Sequence, residues 1–195
     1  MYNLKEKEMI FVFTGPDGSG RKTVARLAGD TLNMEGVISS TTRAKRPYEN
    51  EDIDYHYLSR EDFEKAAAND EFIEKVEING HLYGIKEREV EDKFKKNGCI
   101  YLVLNKEGAN ILKELYGDKV IRLFLYADRV TVQKRQQERG DSLEVIDAHM
   151  SHYDEEMGYK DECEHAFENY ELAHTVFEVT NKIEKYLTGA LPLKK

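Results

Sequence analysis

Gly15-Pro-Asp-Gly-Ser-Gly-Arg-Lys-Thr23 follows the apolar run Met9-Ile-Phe-Val-Phe13 and precedes a stretch with Val24, Leu27, Ala28 and Leu32 on one helical face. Strand, glycine-rich loop and helix in that order form a phosphate cradle. The glycines let backbone N–H groups turn inward, and the helix N-terminus adds its positive end to the same cavity. The usual spacing is G-x-x-x-x-G-K-[ST]. Here Arg21 stands in the lysine position, Lys22 in the hydroxyl position, and Thr23 supplies a hydroxyl one place late. The donor-phosphate residues expected from this stretch are Gly15, Asp17, Gly18, Ser19, Gly20, Arg21, Lys22 and Thr23.

A chain of 195 residues with 40% apolar and 34% charged side chains fits one soluble globular domain with a sizeable core. No apolar run approaches the roughly 18 residues of a membrane span. Residues 1–7 are polar and charged with no apolar signal segment behind them, so the expected location is cytoplasmic. Cys99 and Cys163 are the two cysteines, one in an apolar run and one in an acidic stretch expected to be helical. They suggest neither a disulfide framework nor a zinc site. A formal net charge of −9 opposes nucleic-acid and anionic-membrane partners. Against it, Arg43, Lys45 and Arg46 stand out as a local basic spot.

Strand-like apolar runs recur at 99–104, 120–126 and 175–179, with helical patterns over 86–96 and 106–116 and Gly98 and Gly117 in capping positions. This alternation predicts an α/β fold whose core is a mainly parallel sheet flanked by helices. Its ligands would sit at the carboxyl ends of the strands. From 37 to 85 the rhythm changes. Ile53, Tyr55 and Tyr57 alternate in strand fashion, Ser59 and Asp62 form a weak capping box, and Asn79-Gly80 marks a hairpin. A second departure, 128–168, is long, charged and helical in pattern. The expected division is a core of about 1–36, 86–127 and 169–195, a small β-rich arm of about 37–85 and a helical lid of about 128–168.

The run Ser39-Ser-Thr-Thr-Arg43-Ala-Lys-Arg46-Pro, then Asp54-Tyr55-His-Tyr, Glu71-Phe-Ile-Glu74 and Gly80-His-Leu-Tyr83-Gly resembles guanylate kinases. The resemblance runs through nearly the whole chain and implies a P-loop nucleoside-monophosphate kinase with core, acceptor arm and lid. It implies that Arg43, Arg46, Tyr55 and Tyr83 grip the acceptor phosphate, while Glu74, Ser39 and Asn105 select the guanine of GMP. It further implies ATP as donor, with Mg2+ accompanying it near Thr23 and no protein metal ligand named directly. Arg21, Arg135 and Arg139 would be the catalytic cations. Guanidinium forks match phosphate oxygens, and a carboxylate matches the paired N–H donors of guanine.

Several positions leave the family pattern. Asp17 stands where a small neutral residue is usual, Val103 and Asn105 where two aspartates are, Ile85 where a hydroxyl is, and His149 where a further arginine is expected. Lys22 is expected to offset the Asp17 charge. The changes gather on the donor side and imply reduced turnover. Guanylate-kinase-like domains of membrane-associated scaffolds share a G-R-[KR] loop with weakened catalytic residues, and this second resemblance implies a phosphorylated peptide as an alternative partner.

Overall fold

The computed structural model describes residues 2–191. β1 (Met9–Thr14) is buried along its whole length. It lies at the centre of a five-stranded parallel sheet with β2 (Glu35–Gly36), β7 (Cys99–Val103), β8 (Val120–Tyr126) and β9 (His165–Glu168), in the order β2-β7-β1-β8-β9. Parallel neighbours need crossover connections, and the crossing helices cover both faces. On one face Phe11 and Phe13 pack with Val24 and Ala28 of α1 (Arg21–Leu32) and with Val179 and Ile183 of α7 (Leu172–Leu187). On the other, Ile10 and Val12 meet Val90 and Phe94 of α3 (Glu87–Lys96) and Ala109 and Leu112 of α4 (Lys106–Tyr116). The two-residue period of a strand thus divides the core into halves. Burial on both faces explains why β1 and β7 read as unbroken apolar runs and β8 as one interrupted only by Arg122.

The arm is a separate mixed sheet in the order β4-β3-β6-β5, built from β3 (Ser40–Thr41), β4 (His56–Tyr57), β5 (Phe72–Ile78) and β6 (His81–Lys86). Asn79 (φ 51) and Gly80 (φ 76) both take left-handed backbone, as the tight primed turn between β5 and β6 demands. Ser59 caps α2 (Arg60–Ala68) by accepting from the Asp62 N–H, and Phe63 of that helix stacks on Phe72 at 4.3 Å. The lid consists of α5 (Arg129–Arg139) and α6 (Leu143–Gly158), which share a small core of Ala127, Val132, Ile146, Met150 and Tyr153. Among the described residues no helix is long and apolar enough to cross a membrane.

Five expectations need correction. Residues 175–179 belong to α7, where Thr175, Val179 and Ile183 bury one helical face at spacings of four. The last core strand is β9, inside the stretch expected to form the lid, so the helical flap ends before it. The alternation at 53–57 yields strand only at β4; the residues before it are a turn in which the Asp54 N–H donates to the Asn50 carbonyl. Gly98 does not cap α3, which ends at Asn97 in extended backbone, whereas Gly117 does cap α4 with φ 55. Cys163 follows a single 3-10 turn (Tyr159–Glu162) and is half-buried in the approach to β9, not in a helix.

Candidate active site

The glycine-rich loop leaves β1 at its carboxyl end and enters α1 through Gly20, whose φ of 87 is left-handed. A Cβ there would lie 2.5 Å from the Asn169 amide nitrogen, which donates to the Ser19 carbonyl at 2.7 Å. Asn169, just past β9, therefore pins the loop, and only glycine fits beneath it. No side chain caps the N-terminus of α1, and its first turn carries no acidic residue. Its orphan N–H groups are suited to bind an anion. Ser19 Oγ, Asn169 Oδ1 and Arg135 Nη1 are buried beside the loop without a hydrogen-bond partner. Arg135 is held by its other nitrogen, which donates to the Asn169 carbonyl at 2.7 Å.

Asp17 is the hub of this region. Its carboxylate is 3.3 Å from Arg21 Nη2, 3.6 Å from His149 Nε2 and 3.9 Å from Arg139 Nη2, with the side chain about one-third exposed (32%). Burial works to raise its pKa, but Arg21, then His149 and Arg139, hold it down to about 2. The expected offset by Lys22 is corrected: Lys22 turns to the arm, 3.1 Å from Asp54 Oδ1 and 4.3 Å from the centre of the Tyr55 ring. Arg21 also donates to the Gly15 carbonyl, so it lies across the loop's own backbone. His149 is oriented by Gln136, whose Nε2 donates to the Asp17 carbonyl at 3.2 Å. That leaves Gln136 Oε1 to face His149 Nδ1 at 2.7 Å. Burial lowers the His149 pKa, which keeps the ring neutral near pH 7.

On the arm, Arg43, Tyr55 and Tyr83 lie together, while the Arg46 guanidinium donates to the Tyr48 hydroxyl. The Tyr55 ring lies 5.9 Å from Tyr83, and the Arg43 guanidinium sits 5.4 Å from the Tyr55 ring centre. Glu49, which the sequence reading missed, organises them. Its buried carboxylate accepts from Arg43 Nη2 at 2.7 Å, from the Arg46 backbone N–H at 2.9 Å and from the Tyr57 hydroxyl at 2.8 Å. Burial opposes ionisation of Glu49, and these donors bring its pKa down to about 2. Arg43 has five N–H donors and spends two on Glu49 and the Ala44 carbonyl, which leaves donors for a phosphate.

Behind this cluster, Glu74 of β5 is 3% exposed, and its Oε1 is buried with no hydrogen-bond partner. Burial, then the charge of Glu107, raises its pKa to about 7. A Cβ on Gly108 would come within 2.6 Å of that oxygen, so glycine keeps its approach open. Asn105, three residues before Gly108, accepts from the Gly108 N–H at 3.0 Å as the cap of α4. Ser39 stands at the entrance to β3, its carbonyl accepting from the His56 N–H. The buried carboxyl oxygen is an acceptor in search of a donor.

Towards a metal the chain offers little beside the loop. Val103 packs half-buried against the core, and Thr23 presents an exposed hydroxyl in the first turn of α1. Elsewhere among the described residues, Glu51, Asp52 and His56 have ligand atoms within 4.8 Å of one another on the outer turn of the arm.

A glycine-rich loop between β1 and α1 of a parallel α/β core, with an arm that brings Arg43 beside Tyr55 and Tyr83, is the architecture of a mononucleotide kinase. The guanylate kinase family profile matches residues 7–186. The chain is 33% identical to the guanylate kinase of Chlorobaculum tepidum over 181 residues, 91% of this chain and 93% of that protein. It is 30% identical to the guanylate kinase of Fusobacterium nucleatum over 176 residues, 90% and 95% of the two chains. The crystal structure of guanylate kinase from Anaplasma phagocytophilum superposes with a TM-score of 0.74 at 25% identity, covering 94% of this chain and 88% of that one. The chain belongs to the guanylate kinase family.

Proposed function

We propose that this chain transfers the terminal phosphoryl group of ATP to GMP, giving ADP and GDP, at a reduced rate. The observation that carries the reading is the Glu74 carboxyl, buried, without a partner and kept accessible by Gly108. Guanine presents a ring N–H and an exocyclic amine side by side, the donor pair such a carboxylate lacks. Adenine offers no such pair. Ser39 and Asn105 flank this base site, and Arg43, Arg46, Tyr55 and Tyr83 bind the acceptor phosphate. The loop from Gly15 to Thr23 receives the donor phosphates through its backbone N–H groups.

An oxygen of the GMP phosphate forms the new bond to the terminal phosphorus of ATP as the bond to the ADP oxygen breaks. Such transfer depends on positioning and on neutralising spread charge. Arg21, Arg135 and Arg139 supply that charge, Arg135 through its unpartnered nitrogen. Mg2+ bound with ATP would neutralise phosphate oxygens, and Thr23 is the residue suited to reach it. The reduced rate follows from three features. Arg21 is engaged by Gly15 and Asp17, Val103 offers no carboxylate, and His149 is neutral near pH 7. One lost donor typically costs about 10² to 10³ in turnover, and such losses are not additive within one site.

The test is an ADP-release assay with ATP, Mg2+ and GMP. Slow GMP-dependent turnover that rises at least about tenfold in Arg21→Lys supports the proposal. No turnover in either protein, with GMP still bound, would refute phosphoryl transfer and leave the arm as a site for GMP or a phosphorylated peptide.

A further inference from the structure

Arm and lid are separate bodies by construction. The arm has its own sheet and the stacked Phe63–Phe72 pair, and the lid has its own core around Val132, Ile146 and Met150. Each carries an arginine assigned to a different phosphate, Arg46 on the arm and Arg139 on the lid. One side chain reaches across. The Tyr48 hydroxyl is 2.9 Å from Asp141 Oδ1, between residues 93 apart in sequence, and 3.2 Å from Arg46 Nη1. The same ring lies 5.7 Å from the Arg139 guanidinium, and Arg139 in turn pairs with Asp141.

The hydrogen-bond directions at this junction are fixed by chemistry. Arg46 can only donate and an ionised Asp141 can only accept, so the single hydroxyl proton of Tyr48 goes to Asp141 while its oxygen takes the Arg46 N–H. The Asp141 side chain is 2% exposed although it lies in the turn between α5 and α6, and Gly140 (φ 86) lets the chain turn to bury it. Arg139 and Tyr48 together satisfy this carboxylate and keep it ionised despite its burial.

We propose that Tyr48 is a positioning residue that clasps the acceptor arm to the lid through Asp141 before any nucleotide arrives, holding Arg46 and Arg139 at one junction. The consequence for catalysis rests on the phosphoryl-transfer reading above; the clasp itself does not. A protein that binds through a closed form shows affinity reduced by the fraction of time it is closed. A hydrogen bond to a charged group is worth about a tenfold shift in that fraction. Tyr48→Phe keeps the ring over Arg139 and removes only the hydroxyl, and Tyr48 is exposed, so the fold does not depend on it.

The experiment measures the arm-to-lid distance in nucleotide-free protein, with spin labels at Ile53 and Leu143 and with Cys99 and Cys163 replaced by alanine. Both label sites are well exposed, at 70% and 73%. The expected result is one narrow distance in the parent and a broad distribution extending to longer separations in Tyr48→Phe, with the melting temperature unchanged. GMP affinity by calorimetry falls in the same variant in proportion to the closed fraction, by up to about tenfold. An identical distance distribution in both proteins overturns the clasp. A broadened distribution with unchanged GMP affinity overturns its positioning role. If neither protein binds GMP while the distances differ, the nucleotide reading fails and the clasp stands.

Discussion

Glu74→Gln separates the stability of this protein from its base recognition. The Glu74 carboxyl is 3% exposed and its pKa stands at about 7 against an ordinary value of 4.5. For an acid whose folded pKa is raised, the penalty for ionisation is absent well below pH 4.5. It grows as pH rises through the interval from 4.5 to about 7 and is complete above it. At about 1.36 kcal/mol per unit, the full penalty approaches about 3 kcal/mol at pH 8 and is below about 1 kcal/mol at pH 5. Glutamine has the shape of the protonated acid and never ionises. Its substitution is therefore expected to stabilise the free protein by about 2 kcal/mol more at pH 8 than at pH 5, read from urea unfolding at the two values. On the proposed reading, the same change leaves one acceptor oxygen for the two guanine N–H groups and turns the other into an N–H donor, and hydrogen bonds to a charged group contribute about 1.5 to 3 kcal/mol each. The affinity ratio of GMP to AMP, in which titration of the ligand phosphate cancels, is expected to fall by at least about tenfold. In the unmodified protein that ratio should rise with pH up to about 7, as Glu74 ionises. Equal stabilisation at both pH values, or an unchanged GMP preference in the variant, would refute the assignment of Glu74.

Two further outcomes follow from the charged clusters. Asp17→Ser is expected to tighten MgATP binding by up to about 30-fold, the effect of removing one charge about 8 Å from a phosphate at an effective dielectric near 20. Since Asp17 has a depressed pKa, its contribution to stability is present above the ordinary carboxyl range and is lost as pH falls through about 2. The variant should therefore melt lower than the parent at neutral pH, and MgATP calorimetry with a thermal melt checks both effects. Arg43→Ala leaves the buried Glu49 carboxylate without its guanidinium and is expected to cost about 3 kcal/mol of stability while abolishing GMP binding. A variant that keeps GMP affinity at the parent level would remove Arg43 from the acceptor site.

The central fold was legible because β1, the glycine loop and α1 each carry a local signature: an apolar run, an anion-binding spacing and a helical face. β9 was not, because of its four residues only Phe167 is buried, in an acidic setting that reads as more helix. Residues 175–179 misled for the opposite reason, since Thr175, Val176 and Val179 concentrate β-branched side chains in what is a helix packed on the sheet. Arg43, Arg46, Tyr55, Tyr83 and Glu74 came into view through the resemblance to guanylate kinases, which their run of residues carries. Glu49 and Tyr57 were not, although an acid three places after Arg46 and a second tyrosine two places after Tyr55 were available signals. Asn169, Gln136 and Asp141 left no local trace. Their partners, Ser19, His149 and Tyr48, come from elements remote in sequence, and burial of a polar side chain is a property of packing that composition does not record.

The two halves of the site differ in how their charge is satisfied. On the arm, Glu49 holds Arg43 in place but leaves it further donors for the proposed acceptor phosphate, so a buried internal anion organises the site without filling it. On the donor side, Asp17 takes contacts from the neutral ring of His149 and from Arg21 and Arg139, the cations a donor phosphate would otherwise use. The loop carries its own anion. Donor phosphates entering the nest of N–H groups meet arginines already paired and must draw them from a carboxylate whose depressed pKa records the strength of that pairing. Arg135, with one buried nitrogen unpartnered, is the cation left ready. The acceptor half is thus prepared for its ligand and the donor half is self-occupied. On the proposed reading, this asymmetry, more than the loss of any single family residue, would set the rate through competition between Asp17 and ATP.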